Sequence, residues 1–329
     1  MLSLVPRYKH SAARLAVNVV LLGTIGFAAS PACADESGVS FWLPGQYGSF
    51  AAIAPTPGFS LPMVTYAYSG KSGAGTVLPR GDDLTLGLDG QFVGQFIVPS
   101  YAPDVKILGA QSNFSLAFLP AYSEGSADAQ LGGLGFERSD SITGFGDLYP
   151  TAQLFWNPGG VHNWMAYVTG DIPVGSYNSD RLANIGLGHA AIDVGGAYTY
   201  LDTNTGWEFS GTLGVTYNFE NTSTDYTSGI DAHLDWGVAK FLSEKFFVGL
   251  AGYAYQQLTP DRGQPAILGD FKSRTLAVGP QLGYNFTTNG VSIYTNLRVY
   301  FEFDTENRMK GQAVFLTVNL PLSALAKAE

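Results

Sequence analysis

Apolar and polar residues alternate along two long stretches of the chain. In residues 207–220 and again in 291–304, nearly every second position is apolar and the positions between them are polar. Alternation with a period of two predicts a β-strand that has one apolar and one polar face. Each stretch has 14 residues, whereas strands of soluble sheets average roughly 5–6 residues. This length is typical of a tilted strand that crosses a bilayer and extends beyond it.

The same pattern predicts twelve strands, and the connections between them alternate in length. The predicted strands cover about 60–70, 83–99, 104–120, 144–157, 162–173, 188–202, 206–220, 229–242, 245–258, 272–286, 290–304 and 309–321. Longer polar segments near 71–82, 121–143, 174–187, 221–228 and 259–271, and a short one near 305–308, alternate with tight turns near 99–103, 158–161, 202–205, 243–244 and 287–289. The sequence therefore predicts an all-β fold, a transmembrane antiparallel up-and-down β-barrel of about 12 strands. Its short turns are expected in the periplasm and its longer loops outside the cell.

Residues 1–34 have the pattern of a secretory signal peptide. Three basic residues, Arg7, Lys9 and Arg14, precede an apolar run from Leu15 to about Ala29. The small residues Ala32 and Ala34 then suit a signal peptidase, so cleavage is expected after Ala34. The apolar run is shorter than the roughly 18–20 residues of a spanning helix, which disfavours a membrane anchor.

Two further regions follow the leader in this interpretation. The segment 35–59 contains three prolines and four glycines, which exclude a long helix or strand, yet it is moderately apolar. It is expected either to fold into the lumen as a plug or to pack under the barrel mouth as a periplasmic arm. The barrel itself is expected to occupy residues 60–329.

Composition and charge narrow the function. Only 13% of the residues are charged, whereas 46% are hydrophobic and 13% aromatic, and a soluble domain carries about a quarter charged residues. Removing the three basic residues of the leader from the total of 17 leaves 14 against 27 acidic residues. An acidic chain disfavours nucleic acid as a partner. The one cysteine, Cys33, lies in the leader, so neither a disulfide framework nor a thiolate metal site is expected in the mature chain.

No catalytic or cofactor-binding motif is recognisable in the sequence. The chain has no Gly-x-Ser-x-Gly, His-Glu-x-x-His or P-loop motif. A barrel lipase would need a serine and a histidine in contact at the lipid-facing wall. His189 and His233 instead fall on the polar face of their strands. The protein is therefore expected not to be an enzyme and to need no cofactor.

Strand parity places a set of polar and aromatic residues on the inner face of the barrel. These candidate lumen residues are Asp147, Asp171, His189, Asp193, Glu208, Asp231, His233, Asp235, Tyr253, Tyr255, Arg298 and Glu302. They either line a solute path or fill a narrow interior with paired polar groups. Arg298 with Glu302, or with an aspartate across the wall, is one such candidate pair. Asp231, His233 and Asp235 also have the spacing of a metal site, but this pattern is nonspecific and no metal is predicted.

Eight short motifs are similar to those of a known family. They are 39–46 (VSFWLPGQ), 144–150 (GFGDLYP), 170–175 (GDIPVG), 188–193 (GHAAID), 216–220 (TYNFE), 233–237 (HLDWG), 268–274 (LGDFKSR) and 279–284 (GPQLGY). Together they resemble the outer-membrane transporter family named for the meta-pathway of phenol degradation. The resemblance implies a Gram-negative outer-membrane location and uptake of aromatic or other hydrophobic compounds. It implies no particular binding residue.

The expected function is passive uptake of small hydrophobic or aromatic compounds across the outer membrane. A narrow porin for small hydrophilic solutes, with Arg298 facing acidic residues across a constriction, is the main alternative. A structural, adhesive or lipid-modifying outer-membrane protein is another. Expected partners are outer-membrane lipid, small-molecule solutes and the outer-membrane assembly machinery, because the last strand, 310–320, resembles the assembly signal of such barrels.

Overall fold

The computed structural model describes residues 39–77, 83–131, 134–263 and 272–328. The predicted leader 1–34 and its predicted cleavage position lie outside these residues. The strands are β1 (Gly58–Val77), β2 (Asp83–Ile97), β3 (Ser100–Ala102), β4 (Lys106–Ile107), β5 (Ala110–Ala117), β6 (Pro120–Leu131), β7 (Leu134–Phe145), β8 (Tyr149–Trp156), β9 (His162–Asp171), β10 (Ala191–Asp202), β11 (Trp207–Asn218), β12 (Tyr226–Thr227), β13 (Asp231–Phe241), β14 (Phe246–Gln257), β15 (Arg262–Gly263), β16 (Arg274–Thr288), β17 (Val291–Glu306) and β18 (Lys310–Leu320). One short helix, α1 (Leu322–Ala328), follows the last strand.

The sheet closes on itself because the first long strand pairs with the last. β1 and β18 are antiparallel, in register from Leu61 opposite Leu320 to Lys71 opposite Lys310. From β8 onward each long strand pairs with the next one along the chain, as in an up-and-down barrel. Closure leaves no free sheet edge along this seam, which a wall in lipid requires.

Two strands of the wall are each broken into two segments. β5 and β6 are separated at Phe118 and Leu119, and β7 and β8 are separated at 146–148. The upper segments pair as β2–β6–β7, whereas near the other end β1, β3, β5 and β8 pair in turn. Counting each broken strand once, and β3 as the continuation of β2, the described residues form the predicted twelve-stranded antiparallel barrel.

The two ends of the barrel differ in the length of their connections. At the short-turn end, residues 157–161, 203–206, 242–245 and 289–290 join neighbouring strands. Asn289 and Gly290 both have positive φ angles, 46° and 78°, as a tight two-residue hairpin requires. At the long-loop end, residues 172–190 and 219–230 are long connections, and β12 pairs with β15 there. From β8 to β17 the predicted sorting of short turns and long loops is confirmed.

Three details of the sequence prediction are wrong. Residues 121–143 were expected to be a loop, but most of them belong to the β6–β7 hairpin, and β1 likewise extends to Val77. Residues 100–102 form β3, which continues the wall where a tight turn near 99–103 was expected, and the connection from β3 to β5 at 103–109 contains β4. The extended hairpins keep strand hydrogen bonds beyond the region in which lipid imposes apolar alternation. The period-two signal is therefore weak there.

The two faces of the wall differ sharply in polarity. Along β11 the apolar residues Phe209 and Leu213 are exposed, whereas Glu208, Thr212 and Thr216 are completely buried. The outward apolar side chains are exposed on the outside of the wall and suit lipid, and the inward polar ones face the barrel interior. Among the described residues, no helix has both the length and the apolar character needed to cross a membrane.

The outer face predicts how a charge affects stability. Leu213, in the middle of β11, and Leu242, in a short turn, are both 62% exposed. We expect Leu213→Arg to lower the unfolding free energy in lipid vesicles by about 2–4 kcal/mol and Leu242→Arg by about 0–1 kcal/mol, because the cost of arginine depends on depth. Urea unfolding monitored by tryptophan fluorescence measures both values. Equal losses would contradict the assignment of Leu213 to the lipid-facing centre of the wall.

Candidate functional site in the barrel interior

All twelve candidate lumen residues are buried, and several belong to one polar cluster around His233. The Nε2 atom of His233 lies 2.8 Å from Oδ2 of Asp193. Thr216 donates its hydroxyl to the same oxygen at 2.6 Å, and Tyr167 donates to Oδ1 at 2.7 Å. Asp193 and His233 have no exposed side-chain surface. Since every partner comes from a different strand, the cluster ties β9, β10, β11 and β13 together through the lumen.

Two neighbouring acidic residues are also hydrogen-bonded. Asn218 donates to Asp231 at 2.9 Å across the β11–β13 pair. Glu208 accepts the hydroxyl of Ser210 on its own strand and the backbone N–H of Phe50 at 2.8 Å. Asp231, His233 and Asp235 thus have different partners. Within the described ranges, no three histidine, cysteine or acidic residues are grouped as metal ligands.

The three candidates nearest the long-loop end do not join this cluster. Asp147 accepts the backbone N–H groups of Gly175 and Leu187, each at 2.7 Å. It therefore fixes both sides of the 172–190 loop. Asp171 is buried beside Asp147 at the end of β9, and His189 lies within hydrogen-bond distance, 3.0 Å, of the carbonyl of Ala190.

Arg298 and Glu302 do not form the ion pair considered from the sequence. Glu302 accepts hydrogen bonds from the hydroxyls of Tyr68 and Tyr253, at 2.9 and 3.0 Å, and from the N–H of Gly311 at 2.7 Å. Its carboxylate is already satisfied by neutral donors from three strands. Arg298 instead donates to the carbonyl of Gln46 at 3.0 Å.

Tyr255, the remaining candidate, faces Arg308. The guanidinium carbon of Arg308 lies 4.8 Å from the centre of the Tyr255 ring. This distance is within the range of a cation–π contact. Tyr255 is buried and lies directly opposite His233 on the neighbouring strand β14.

Residues 39–57, which we call the inner segment, lie against these lumen side chains. Their contacts follow the inner face of β13 from one end toward the other. Trp42 stacks on His233, Gly45 and Tyr47 bind Asp235, and Phe50 packs near Phe241. The segment leads directly into β1 at Gly58, at the short-turn end. It therefore extends upward into the barrel from that end.

Asp235 holds the middle of the inner segment by its backbone. Its two carboxylate oxygens accept the N–H groups of Gly45, at 2.7 Å, and Tyr47, at 3.1 Å. On the opposite side the Tyr300 hydroxyl donates to the carbonyl of Gly45 at 3.1 Å. Gly45 has a φ of 85°, and a Cβ atom there would lie 2.7 Å from the ring of Tyr253. Only glycine suits this position.

The lower part of the inner segment is bound in the same way. Ala52 donates its N–H to the Thr199 hydroxyl at 3.0 Å, and Gln281 donates its side-chain amide to the Ser49 hydroxyl at 2.7 Å. The ring of Phe50 meets Phe247 edge-on at 5.0 Å. Polar groups from β10, β11, β13, β16 and β17 thus bind the segment from five strands.

Sequence reasoning missed several residues that shape this site. Trp42, Tyr47, Gly237 and Tyr300 were not among the candidates, although Trp42 and Gly237 lie within the quoted motifs. Gly237 follows Asp235 on the inner face, and a glycine at such a position was the available signal of a closely approaching backbone. A Cβ atom at Gly237 would lie 2.5 Å from the N atom of Ser49.

Comparison with known proteins assigns the chain to a family. The sequence model of the family described as "putative MetA-pathway of phenol degradation" matches residues 51–318. The chain belongs to this family. The family expected from the sequence motifs is thereby confirmed. No curated protein matches the sequence.

Two solved structures are similar to this family member at low sequence identity. An outer-membrane channel from Pseudomonas putida F1 superposes with a TM-score of 0.56 and 16% identity, covering 82% of this chain and 98% of that chain. A FadL homologue from Pseudomonas aeruginosa superposes with a TM-score of 0.40 and 8% identity, covering 80% and 90%. The similarity to the Pseudomonas putida channel supports the outer-membrane barrel fold. At this low identity it shows the fold alone.

The close approach at Gly237 predicts a variant that unseats the inner segment. We expect Gly237→Val to expose residue 52, because the added carbons collide with the backbone at Ser49. Ala52 is 1% exposed, so a cysteine placed there, in a Cys33→Ser background, should react slowly with a water-soluble maleimide. Labelling should become faster in Gly237→Val.

Gly211→Val is the matched control. Gly211 lies on the neighbouring strand β11, and a Cβ atom there would meet nothing within 4 Å. Its labelling rate should stay at the original value. Equal rates in the two glycine variants would refute the seating of the segment against β13.

Proposed function

We propose that this protein is an outer-membrane channel for passive uptake of small hydrophobic or aromatic compounds, closed in the described state by the inner segment. The observation that carries the proposal is the seating of residues 39–57 among lumen side chains of strands around the barrel. A purely structural barrel of this width could fill its interior with wall side chains alone. Here a separate piece of chain fills it, so its departure would leave a continuous lumen.

Aromatic packing supports an apolar or aromatic solute. Phe155, Met165 and Tyr167 of the wall form a buried cluster with Trp42 of the inner segment. A second cluster includes Tyr66, Tyr253, Tyr300 and Phe315. Two aromatic clusters, on different sides of the lumen, would give a planar or apolar compound favourable contacts along its path.

The contacts of Arg298 and Asp235 argue against an open hydrophilic porin. A porin constriction needs opposite charges that face water across the opening. In this barrel Arg298 and Asp235 instead bind backbone groups at Gln46, Gly45 and Tyr47. The charges serve to hold the segment while it is seated, and they become accessible only when it leaves.

The histidine contacts favour transport over catalysis. In the described residues His162 bonds Tyr198, His189 bonds the Ala190 carbonyl, and His233 bonds Asp193. None of these contacts pairs a histidine with a serine hydroxyl, as an acyl-transfer enzyme would need. We propose further that the leader 1–34 is cleaved after Ala34 and that the assembly machinery recognises β18, which closes the wall.

Deleting residues 39–57 should open the channel. We expect the intact protein to be nearly silent in planar bilayers and the deletion variant to conduct ions steadily. Vesicles with lipopolysaccharide in the outer leaflet then report influx of 1-naphthol, a fluorescent aromatic alcohol, by stopped flow. Faster influx with protein than in protein-free vesicles is expected, and the deletion variant should be the fastest.

Asp235→Asn tests the same idea with the segment still present. The amide side chain has one acceptor oxygen where the carboxylate has two, so one of the two backbone donors loses its partner. Loss of a hydrogen bond to a charged group costs about 1.5–3 kcal/mol, so channel openings should become more frequent. Asp104→Asn, at an exposed position in the short-turn connection, is the matched control. If the intact protein conducts as steadily as the deletion variant, the closed-channel proposal is wrong.

A further inference from the structure

The side chain of Trp42 occupies a flat aromatic slot inside the barrel. Its ring lies parallel to His233, with a centroid distance of 3.6 Å and an interplanar angle of 14°. Tyr167 and Tyr47 stack beside it at 5.6 and 5.8 Å. Trp42 is 1% exposed. The slot therefore fits a planar ring on the face of His233 and excludes water from it.

The fit of Trp42 in this slot is incomplete. Its indole Nε1 is buried and has no hydrogen-bond partner among the described residues. A buried donor without an acceptor loses its interaction with water and gains nothing in return. Shape complementarity and ring stacking stabilise the side chain in the slot, whereas burial of its unpaired N–H group is unfavourable. A planar ring without a donor at that position would fit the same slot without this penalty.

Departure of the inner segment would also free a hydrogen-bond acceptor next to the slot. Asp235 would lose the N–H groups of Gly45 and Tyr47, which now satisfy its carboxylate. Asp235 lies two residues from His233 on the same face of β13, roughly 7 Å along the strand. A hydroxyl group on a ring stacked over His233 could donate to this carboxylate and replace the lost backbone donors.

From this geometry we propose that the face of His233 is the binding site for a planar aromatic alcohol, and that Trp42 is an internal stand-in for that solute. The ring of the solute takes the place of the indole, and its hydroxyl takes the place of the backbone donors at Asp235. Solute and inner segment then compete for the same surface. This inference rests on the proposed channel function, because it names the solute class and the site on its path.

Binding of indole to Trp42→Ala tests the slot directly. The protein is reconstituted in lipid nanodiscs, with empty nanodiscs as the reference, and titrated with indole by calorimetry. We expect one indole per barrel, bound at least about tenfold more tightly than by the intact protein. In the intact protein the slot is free only when the segment is unseated, and a minor state of about 0.1–10% weakens the apparent affinity in proportion.

Two further variants separate the slot from general effects of the substitution. Trp164→Ala removes an exposed tryptophan of the outer face and should bind indole no more tightly than the intact protein. Adding His233→Gln to Trp42→Ala removes the flat ring while leaving an amide that can bond Asp193. It should abolish most of the gained affinity. Each variant is first checked for folding by the mobility shift on heating that barrels show in gels.

The class of solute is tested with all of the inner segment present. Phenol should accelerate maleimide labelling of Ala52→Cys, in a Cys33→Ser background, because it displaces Trp42. Cyclohexanol, which has the same hydroxyl on a puckered ring, should accelerate it far less. Indole bound equally by Trp42→Ala and Trp164→Ala, or equal effects of phenol and cyclohexanol, would overturn the proposal.

These outcomes are distinguishable from failure of the proposed function. If the protein carries 1-naphthol but its Trp42→Ala variant gains no affinity for indole, the binding slot is overturned and the channel function stands. Tight indole binding by Trp42→Ala in a barrel that carries no 1-naphthol would support the slot and remove the transport function.

Discussion

A wall in lipid has to satisfy every backbone hydrogen bond within itself, and the rest of this structure depends on that constraint. Hydrocarbon offers no water to an unpaired N–H or carbonyl group, so an open sheet edge cannot persist there. The pairing of β1 with β18 meets this requirement along the seam. Because the strands must then alternate between lipid and lumen, polar side chains are forced into a narrow interior.

The inner segment supplies hydrogen-bond donors to the buried polar side chains of this interior. Asp235 and Glu208 are buried acidic residues, which are costly unless they are hydrogen-bonded. The backbone N–H groups of Gly45, Tyr47 and Phe50 supply those bonds. In the same contacts the segment, which has no strand partner, satisfies part of its own backbone. Wall and segment therefore stabilise one another. If the segment leaves, the buried carboxylates lose these hydrogen-bond donors, and the N–H groups of the segment lose their acceptors.

Much of this architecture could be predicted from the alternation of residues, because a period of two fixes which side chains share a face. It was sufficient for the long strands after β8, and all twelve residues that it selected are buried, although Asp147 and His189 lie outside the strands. It failed in the β6–β7 hairpin, where residues such as Ser126 and Asp128 alternate with small residues and no lipid imposes an apolar face. It also could not pair Arg298 with Gln46, since 252 positions separate them. Contacts across the lumen form only when the whole barrel closes, so a local sequence pattern does not predict them.

The inner segment is joined directly to β1, and this junction would limit how a solute of the proposed channel competes with the segment. Gly58, with a φ of 123°, is the only residue between the segment and Phe59, whose N–H is tied to Ser323 of α1 at 2.8 Å. The segment is therefore a tethered occupant, and a short tether keeps its local concentration on the order of millimolar however dilute the protein is. A free solute has no such tether. To compete with the segment, it therefore needs a high affinity for the lumen or a high concentration of its own. Occupancy of the lumen would then depend on the outside concentration of the solute, and the barrel would stay closed when that concentration is low.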